Sequence, residues 1–206
     1  MKTPRARLLE IGCGSGEFLL EAKARGFRVE GLEYSKHASD VANARLSASV
    51  VRVGSLETVS LAAGSYDIIA AFDVLEHLRN PAHGLECVYS ALVTGGVLAL
   101  VTPSLDSWSR QLLRRFWMEY KAEHLTYFNK KSLTRLLEQT GFSGIEFSPN
   151  YKILSADYIR RHFDRFPVPV MTPVVRFVSG ILAPRVAHRK LKVGASGVLA
   201  FARKSK

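Results

Sequence analysis

The chain has 206 residues, 47% hydrophobic and 23% charged: enough apolar material for one domain with a sizeable core, and too much for a disordered chain. Its net charge of +11 points to an anionic partner, whether a phosphorylated substrate, nucleic acid or a membrane surface. No apolar run of about 18 residues is present, the basic stretch Met1–Arg7 leads into too short an apolar run for a secretion signal, and the two cysteines, Cys13 and Cys87, have no metal-like spacing, so a cytoplasmic protein with reduced, buried thiols is expected.

Arg7–Ile11 is a short apolar run ending in glycines, the pattern of a buried parallel strand. Glu17–Arg25 has helical spacing, with Phe18, Leu19 and Ala22 on one side and Gly26 closing it. Arg28–Leu32 is the second strand, His37–Leu46 a helix with Ser35 as cap, Ser49–Val53 the third strand and Tyr66–Phe72 the fourth. Pro81–Leu92 is a helix with Asn80 at its cap, and Gly95 and Gly96 turn into a fifth strand, Val97–Thr102, which Pro103 stops. A looser, aromatic-rich stretch, Ser104–Asn129, precedes a helix over Ser132–Thr140, a sixth strand over Phe142–Ser148 and a last strand over Val198–Arg203. This alternation predicts an α/β Rossmann-like, doubly wound fold over residues 1–206, a mostly parallel seven-stranded sheet with helices on both faces.

Residues 151–192 stand apart, with nine Lys or Arg against two acids, interleaved with large apolar residues and divided by prolines. The pattern reads as a helical insertion before the last strand. It serves either as a lid over the acceptor, as a segment lying on an anionic membrane surface, or as a plain helical cover with solvated arginines. On the membrane reading the protein is peripheral to the inner membrane face and its acceptor is lipid-linked.

The strongest motif is Glu10-Ile11-Gly12-Cys13-Gly14-Ser15-Gly16, placed where a strand ends and a helix begins. Glycines let the backbone turn sharply and approach a ligand, and the helix start presents free N–H groups there. The acid two residues before the first glycine repels a pyrophosphate and attracts an ammonium. A second acid, Glu33, ends the second strand, where it can accept from both hydroxyls of a ribose; its alternative is a solvated acid at a strand end.

With these residues the chain resembles the class I S-adenosylmethionine (SAM)-dependent methyltransferases. The later blocks Gly64–Ile69, Asp73-Val74-Leu75-Glu76-His77-Leu78, Gly95–Leu98, Thr102-Pro103-Ser104 and His124–Phe128 are similar to the small bacterial branch that includes ubiquinone-biosynthesis O-methyltransferases. The resemblance covers residues 7–148 and the last strand. It implies SAM as cofactor, with S-adenosylhomocysteine as product. It further implies that Glu10, Gly12, Cys13, Gly14 and Gly16 line the methionine part, Glu33 binds the ribose, Tyr34 lies beside the adenine, Ser55, Leu56 and Glu57 surround that ring, and Phe72 and Asp73 face the reacting methyl. Two features depart from the family: Ser55 stands where many members carry an acid, and six residues precede Arg7 where members usually have a helix that closes over SAM, so that either another segment supplies the lid or the sequence is truncated.

Methyl transfer from a sulfonium is an in-line displacement in which the protein mainly aligns donor and acceptor and excludes water. A hydroxyl acceptor also gains from a general base, for which His77 and His124 are the candidates, the alternative being that they brace the turn. Asp73, Glu76, His77 and His124 together offer the ligands of a divalent metal, a reading not favoured because the same block is common in relatives without one. Phe72-Asp73-Val74 lacks the Pro-Pro-aromatic turn of amino-methylating DNA enzymes, and there is no Pro-Cys nucleophile, so nucleic acid is not the expected substrate. The expected activity is O-methylation of a small-molecule or lipid- or sugar-linked acceptor. The alternatives are a non-catalytic interaction module of the same fold and a nucleotide-dependent oxidoreductase.

Overall fold

Leu8 and Leu9, adjacent in the first strand, belong to two different cores on opposite faces of one sheet, as the two-residue period of a strand requires. The computed structural model describes residues 6–165, 167, 171–177 and 190–205. Among them the strands are β1 (Arg7–Ile11), β2 (Arg28–Glu33), β3 (Val51–Val53), β4 (Tyr66–Phe72), β5 (Leu92–Pro103), β6 (Phe142–Ser155) and β7 (Lys190–Lys204). They form a single seven-stranded sheet of order β3-β2-β1-β4-β5-β7-β6, parallel from β3 to β5, with β7 antiparallel to both of its neighbours. This is the expected Rossmann-like, mostly parallel architecture.

The helices are α1 (Glu17–Ala24), α2 (Lys36–Leu46), α3 (Pro81–Ala91), α4 (Trp108–Leu113), α5 (Lys130–Gln139) and α6 (Ala156–Arg165). Leu19 and Ala22 of α1 and Ala42 and Leu46 of α2 cover one face with Leu8 and Val51. Leu85 and Val88 of α3 and Leu133 and Leu137 of α5 cover the other with Leu9, Ile69 and Leu98. Local chemistry sets the helix starts. Ser35 Oγ accepts from the Ala38 N–H, Asn80 Oδ1 accepts from the His83 N–H, and Asn129 and Ser132 form a reciprocal capping box that starts α5 two residues before the expected Ser132. After β1 the chain moves to β2 and β3; after β4 it moves the other way, to β5. The neighbours β1 and β4 thus mark the switch point, where the diverging crossovers leave a crevice at the carboxyl ends of the strands.

Three expectations are corrected. The helix α3 ends at Ala91, and Leu92 already pairs with Tyr66; Gly95 and Gly96 lie inside β5 as a register shift, with Gly95 at φ 79, in place of a free turn. Strands β6 and β7 are longer than read, because Tyr151–Ser155 pairs with Gly194–Lys190. Of the helical insertion expected over 151–192, residues 151–155 and 190–192 are strand, consistent with the apolar–polar alternation Lys190-Leu191-Lys192-Val193, while 156–165 and 171–177 are helical as expected and 166, 168–170 and 178–189 lie outside the described residues. Since Pro103, the end of β5, pairs with Gly197, the β6–β7 ribbon runs on past the carboxyl edge of the sheet.

The ribbon carries α6 and a helical turn over 171–177, and these pack on the 104–129 stretch as a cap with its own small core of Leu113, Trp117 and Phe163 backed by Met171, Val175 and Tyr127. Trp117 is 2% exposed and its Nε1–H donates to Ser109 Oγ at 3.1 Å. Trp117→Ala is expected to cost the cap about 3–5 kcal/mol, seen as faster protease cleavage within 104–129 than in the wild type.

Candidate active site

The crevice at the switch point is built from two turns in contact. In the first, Gly12, Gly14 and Gly16 have φ of 69, 52 and 79, all in the left-handed region. A Cβ on Gly12 would lie 2.6 Å from Val74 Cγ2. The turn after β4 therefore sits directly against the glycine turn. The edge-to-face pair of Phe18 and Phe72, 5.0 Å between ring centres, adds a second contact across the same join. Asp73 follows β4 at φ 54, a conformation uncommon outside glycine, and its N–H donates to the Val101 carbonyl.

Glu10 is 5% exposed at the end of β1, and its Oε2 has no hydrogen-bond partner. Burial, reinforced by the charges of Glu17 and Glu33, pushes its carboxyl up to about 8. A buried carboxylate oxygen left open is a costly arrangement that a cationic ligand would relieve. Glu33 spans the end of β2: Oε2 accepts the Gly14 N–H and Oε1 the Ser35 N–H, each at 2.8 Å. These two bonds use half of the carboxylate's lone pairs and leave the rest for a ligand. Beside it Tyr34 is 81% exposed. Cys13 faces the sheet, where burial, with help from Glu10 and Glu33, pushes its thiol up to about 12 and keeps it unreactive.

The loop after β3 is placed differently for each expected residue. Ser55 closes a local turn, its N–H donating to Thr58 Oγ1 and its Oγ accepting from the Glu57 N–H. Leu56 is buried in the main core, and the Glu57 carboxylate accepts the Arg79 N–H at 3.0 Å.

His77 and His124 meet, their rings edge-to-face at 4.8 Å between centres. The His77 Nδ1 lies 2.9 Å from the Glu123 carbonyl oxygen. A carbonyl only accepts, so Nδ1 carries the proton and, in the neutral ring, Nε2 keeps its lone pair. His124 is buried; desolvation, then Lys121 and His77, lowers its pKa and favours the neutral ring.

Sequence reasoning left Glu76 and Thr102 out of the catalytic set. Glu76 is fully buried; its Oε2 accepts from Thr102 Oγ1 at 3.0 Å, and its carbonyl accepts the N–H groups of Leu125 and Thr126, which anchors the loop carrying His124. Burial pushes its carboxyl up to about 6. Ligand atoms of Glu76, His77 and His124 lie within 4.8 Å of one another, and Glu76 Oε1 and His124 Nδ1 lack partners. The three are suited to hold a divalent ion; Asp73, expected as a fourth ligand, does not join the group. The Asp-x-x-Glu-His and Thr-Pro blocks were the signal for this pair, but burial alone reveals their contact.

Comparison with known proteins agrees with this geometry. A family model described as "Methyltransferase domain" matches residues 2–146. A protein of Mycolicibacterium smegmatis described as a probable S-adenosylmethionine-dependent methyltransferase is 33% identical over 140 residues, which cover 66% of this chain and 51% of that protein. A ubiquinone biosynthesis O-methyltransferase of Burkholderia pseudomallei is 26% identical over 156 residues, 69% of this chain and 67% of that one. The chain thus spans about half the length of the first of these relatives. Among solved structures, a SAM-dependent methyltransferase from Archaeoglobus fulgidus shares the fold with a TM-score of 0.64 at 20% identity, covering 98% of this chain and 87% of that one. The glycine turn at the switch point, the acid ending β2 and the match over most of the chain lead to one conclusion: the chain belongs to the class I SAM-dependent methyltransferase family.

Proposed function

We propose that the protein transfers the methyl group of SAM to an oxygen of a small-molecule or lipid- or sugar-linked acceptor. When bound, SAM supplies a methyl already activated on a sulfonium. The cofactor reading rests on the open, buried Glu10 Oε2, which fits the ammonium of the methionine part. Glu33 would take the ribose hydroxyls with its remaining lone pairs, and the glycine turn would let the backbone come close. Phe72 and Asp73, against the glycine turn, would border the acceptor.

The observation that carries oxygen as the methylated atom is the tautomer of His77. The Glu123 carbonyl holds the Nδ1 proton, so Nε2 is available to accept the proton of an acceptor hydroxyl. His124 stands against the ring, and Glu76 holds the His124 loop. Two relatives described as O-methyltransferases, the ubiquinone biosynthesis enzyme and a malonyl-[acyl-carrier protein] O-methyltransferase of Serratia marcescens, support the same choice.

The test is calorimetric titration with SAM and S-adenosylhomocysteine, then a screen of phenolic, carboxylic and sugar hydroxyl acceptors for S-adenosylhomocysteine release. With an acceptor in hand, His77→Asn is expected to lower kcat by about a hundredfold to ten-thousandfold with SAM affinity unchanged. Equal turnover in the variant would remove His77 from the chemistry, and absence of SAM binding would favour the interaction-module reading. The unpartnered Glu76 Oε1 and His124 Nδ1 favour a second reading of the same cluster, as a divalent-ion site. Saturable binding of Mn2+ that Glu76→Gln removes would establish it.

A further inference from the structure

The cationic surplus of 151–192 is less free than its sequence suggests. Asp157 pairs with Arg160 and Arg161 at 3.1 and 2.7 Å, and Asp164 pairs with Arg176 at 2.7 Å. Arg110, Arg114 and Arg115 are different. They line, with Gln111 and Tyr120, an open depression of about 650 Å³, and none takes part in an ion pair among the described residues.

The same stretch has two faces. Ser109, Leu113 and Trp117, four residues apart, point into the cap core and are buried. Trp108, Leu112 and Phe116, one residue earlier in the same spacing, are 53%, 61% and 39% exposed, and Tyr120 continues the row at 44%. A soluble phosphate or a nucleic-acid backbone would use the guanidinium groups but has no use for an aliphatic side chain as exposed as Leu112. Guanidinium groups interleaved with outward Leu112 and Phe116, and with the half-exposed Trp108 whose Nε1–H donates to the Gly194 carbonyl of β7, match the layered chemistry of a bilayer interface, with anionic headgroups above an acyl boundary. The cap carries this face beyond the carboxyl edge of the sheet, on the side of the switch-point crevice.

We propose that the outer face of residues 108–120 docks on an anionic lipid surface, with Arg110, Arg114 and Arg115 at the headgroups and Trp108, Leu112 and Phe116 at the acyl boundary. Docking does not depend on methyl transfer, and its test does not use activity. The full chain is sedimented with vesicles of phosphatidylcholine alone and of phosphatidylcholine with phosphatidylglycerol, at low and high salt. The wild type is expected on the anionic vesicles only, and less so at high salt. The variant carrying Arg110→Gln, Arg114→Gln and Arg115→Gln is expected to bind about fivefold more weakly per arginine, roughly a hundredfold in all. Leu112→Ser, at a site too exposed to disturb folding, should weaken binding without altering its salt dependence. Unchanged circular dichroism and melting temperature keep a loss of binding from being a loss of fold. Equal sedimentation with both vesicle types, no sedimentation of the wild type, or binding undiminished in the triple variant would overturn the proposal. So would displacement by inorganic pyrophosphate or a short RNA at concentrations that leave ionic strength unchanged, which would make the arginines a soluble-anion or nucleic-acid site. A concentration-dependent dimer that Leu112→Ser dissociates would assign the face to a second copy of the chain and equally overturn it.

Discussion

Glu10→Gln is expected to weaken SAM binding by roughly tenfold to a hundredfold and, at the same time, to raise the melting temperature of the ligand-free protein at pH 7 to 8 by several degrees. Both effects come from one buried carboxyl. In the folded chain its pKa is about 8 against an ordinary value of 4.5, so between these values the folded state holds a proton that the unfolded state has released. For a group raised in this way, stability is lost as pH rises from about 4.5 to about 8 and is unaffected below that window. The cost near pH 7 is on the order of 3 kcal/mol, and glutamine, which carries no charge, removes it. A bound ammonium would offset the same cost in the wild type by stabilising the ionised form, and glutamine cannot reproduce that attraction. Binding of SAM near pH 7 is therefore expected to release a proton, measurable by calorimetry in buffers of different ionisation enthalpy. If the variant melts like the wild type, the buried carboxyl carries no such cost, and if it binds SAM with equal affinity, Glu10 is not the ammonium site.

The second large effect separates two glycines of one turn. Gly12→Ala would place a methyl 2.6 Å from Val74 Cγ2 at a φ of 69. Something must move, and Val74 belongs to the turn after β4 that also holds Asp73 and leads to His77. The backbone penalty of about 1–2 kcal/mol and the clash together are expected to cost roughly 2–4 kcal/mol and to remove SAM binding by disturbing both turns. Gly14→Ala meets nothing within 4 Å, at a φ of 52. It should cost stability only its backbone penalty of about 1–2 kcal/mol. Its methyl, however, would stand in open space at the turn whose N–H the Glu33 carboxylate accepts, so SAM affinity should fall while the fold persists. Chemical denaturation and calorimetry on both variants read the two quantities separately. Unimpaired SAM binding by the Gly14 variant would mean that the cofactor does not approach the turn there.

Much of this architecture was legible because it is local. Apolar runs next to glycine turns identify β1 and β4, and the caps at Ser35 and Asn80 mark helix starts within one or two residues. The glycine turn announces itself because left-handed φ values admit few residues other than glycine. The acids at Glu10 and Glu33 are readable from their register with that turn, as are the histidines from their blocks. What neighbours in sequence do not determine remained out of reach. The length of β6 and β7 depends on pairing Tyr151–Ser155 with Gly194–Lys190, about forty residues away. Gly95 reads as a turn in isolation, yet the pairing of Leu92 with Tyr66 draws it into β5. Glu76 becomes a buried anchor only because Thr102 and the 125–126 amides reach it from later segments.

Charge illustrates the same division. Nine basic residues in 151–192 and three in 110–115 look alike in a count, with the longer segment the more cationic. In the fold Asp157 and Asp164 engage arginines of the first group, while the second lines an open depression without a carboxylate. Hydropathy period, backbone freedom and capping act over a few residues and so are written in the sequence. The partner of a charge, the burial of a carboxyl and the register of a non-local strand pair depend on which distant segments meet, and only the tertiary structure decides them.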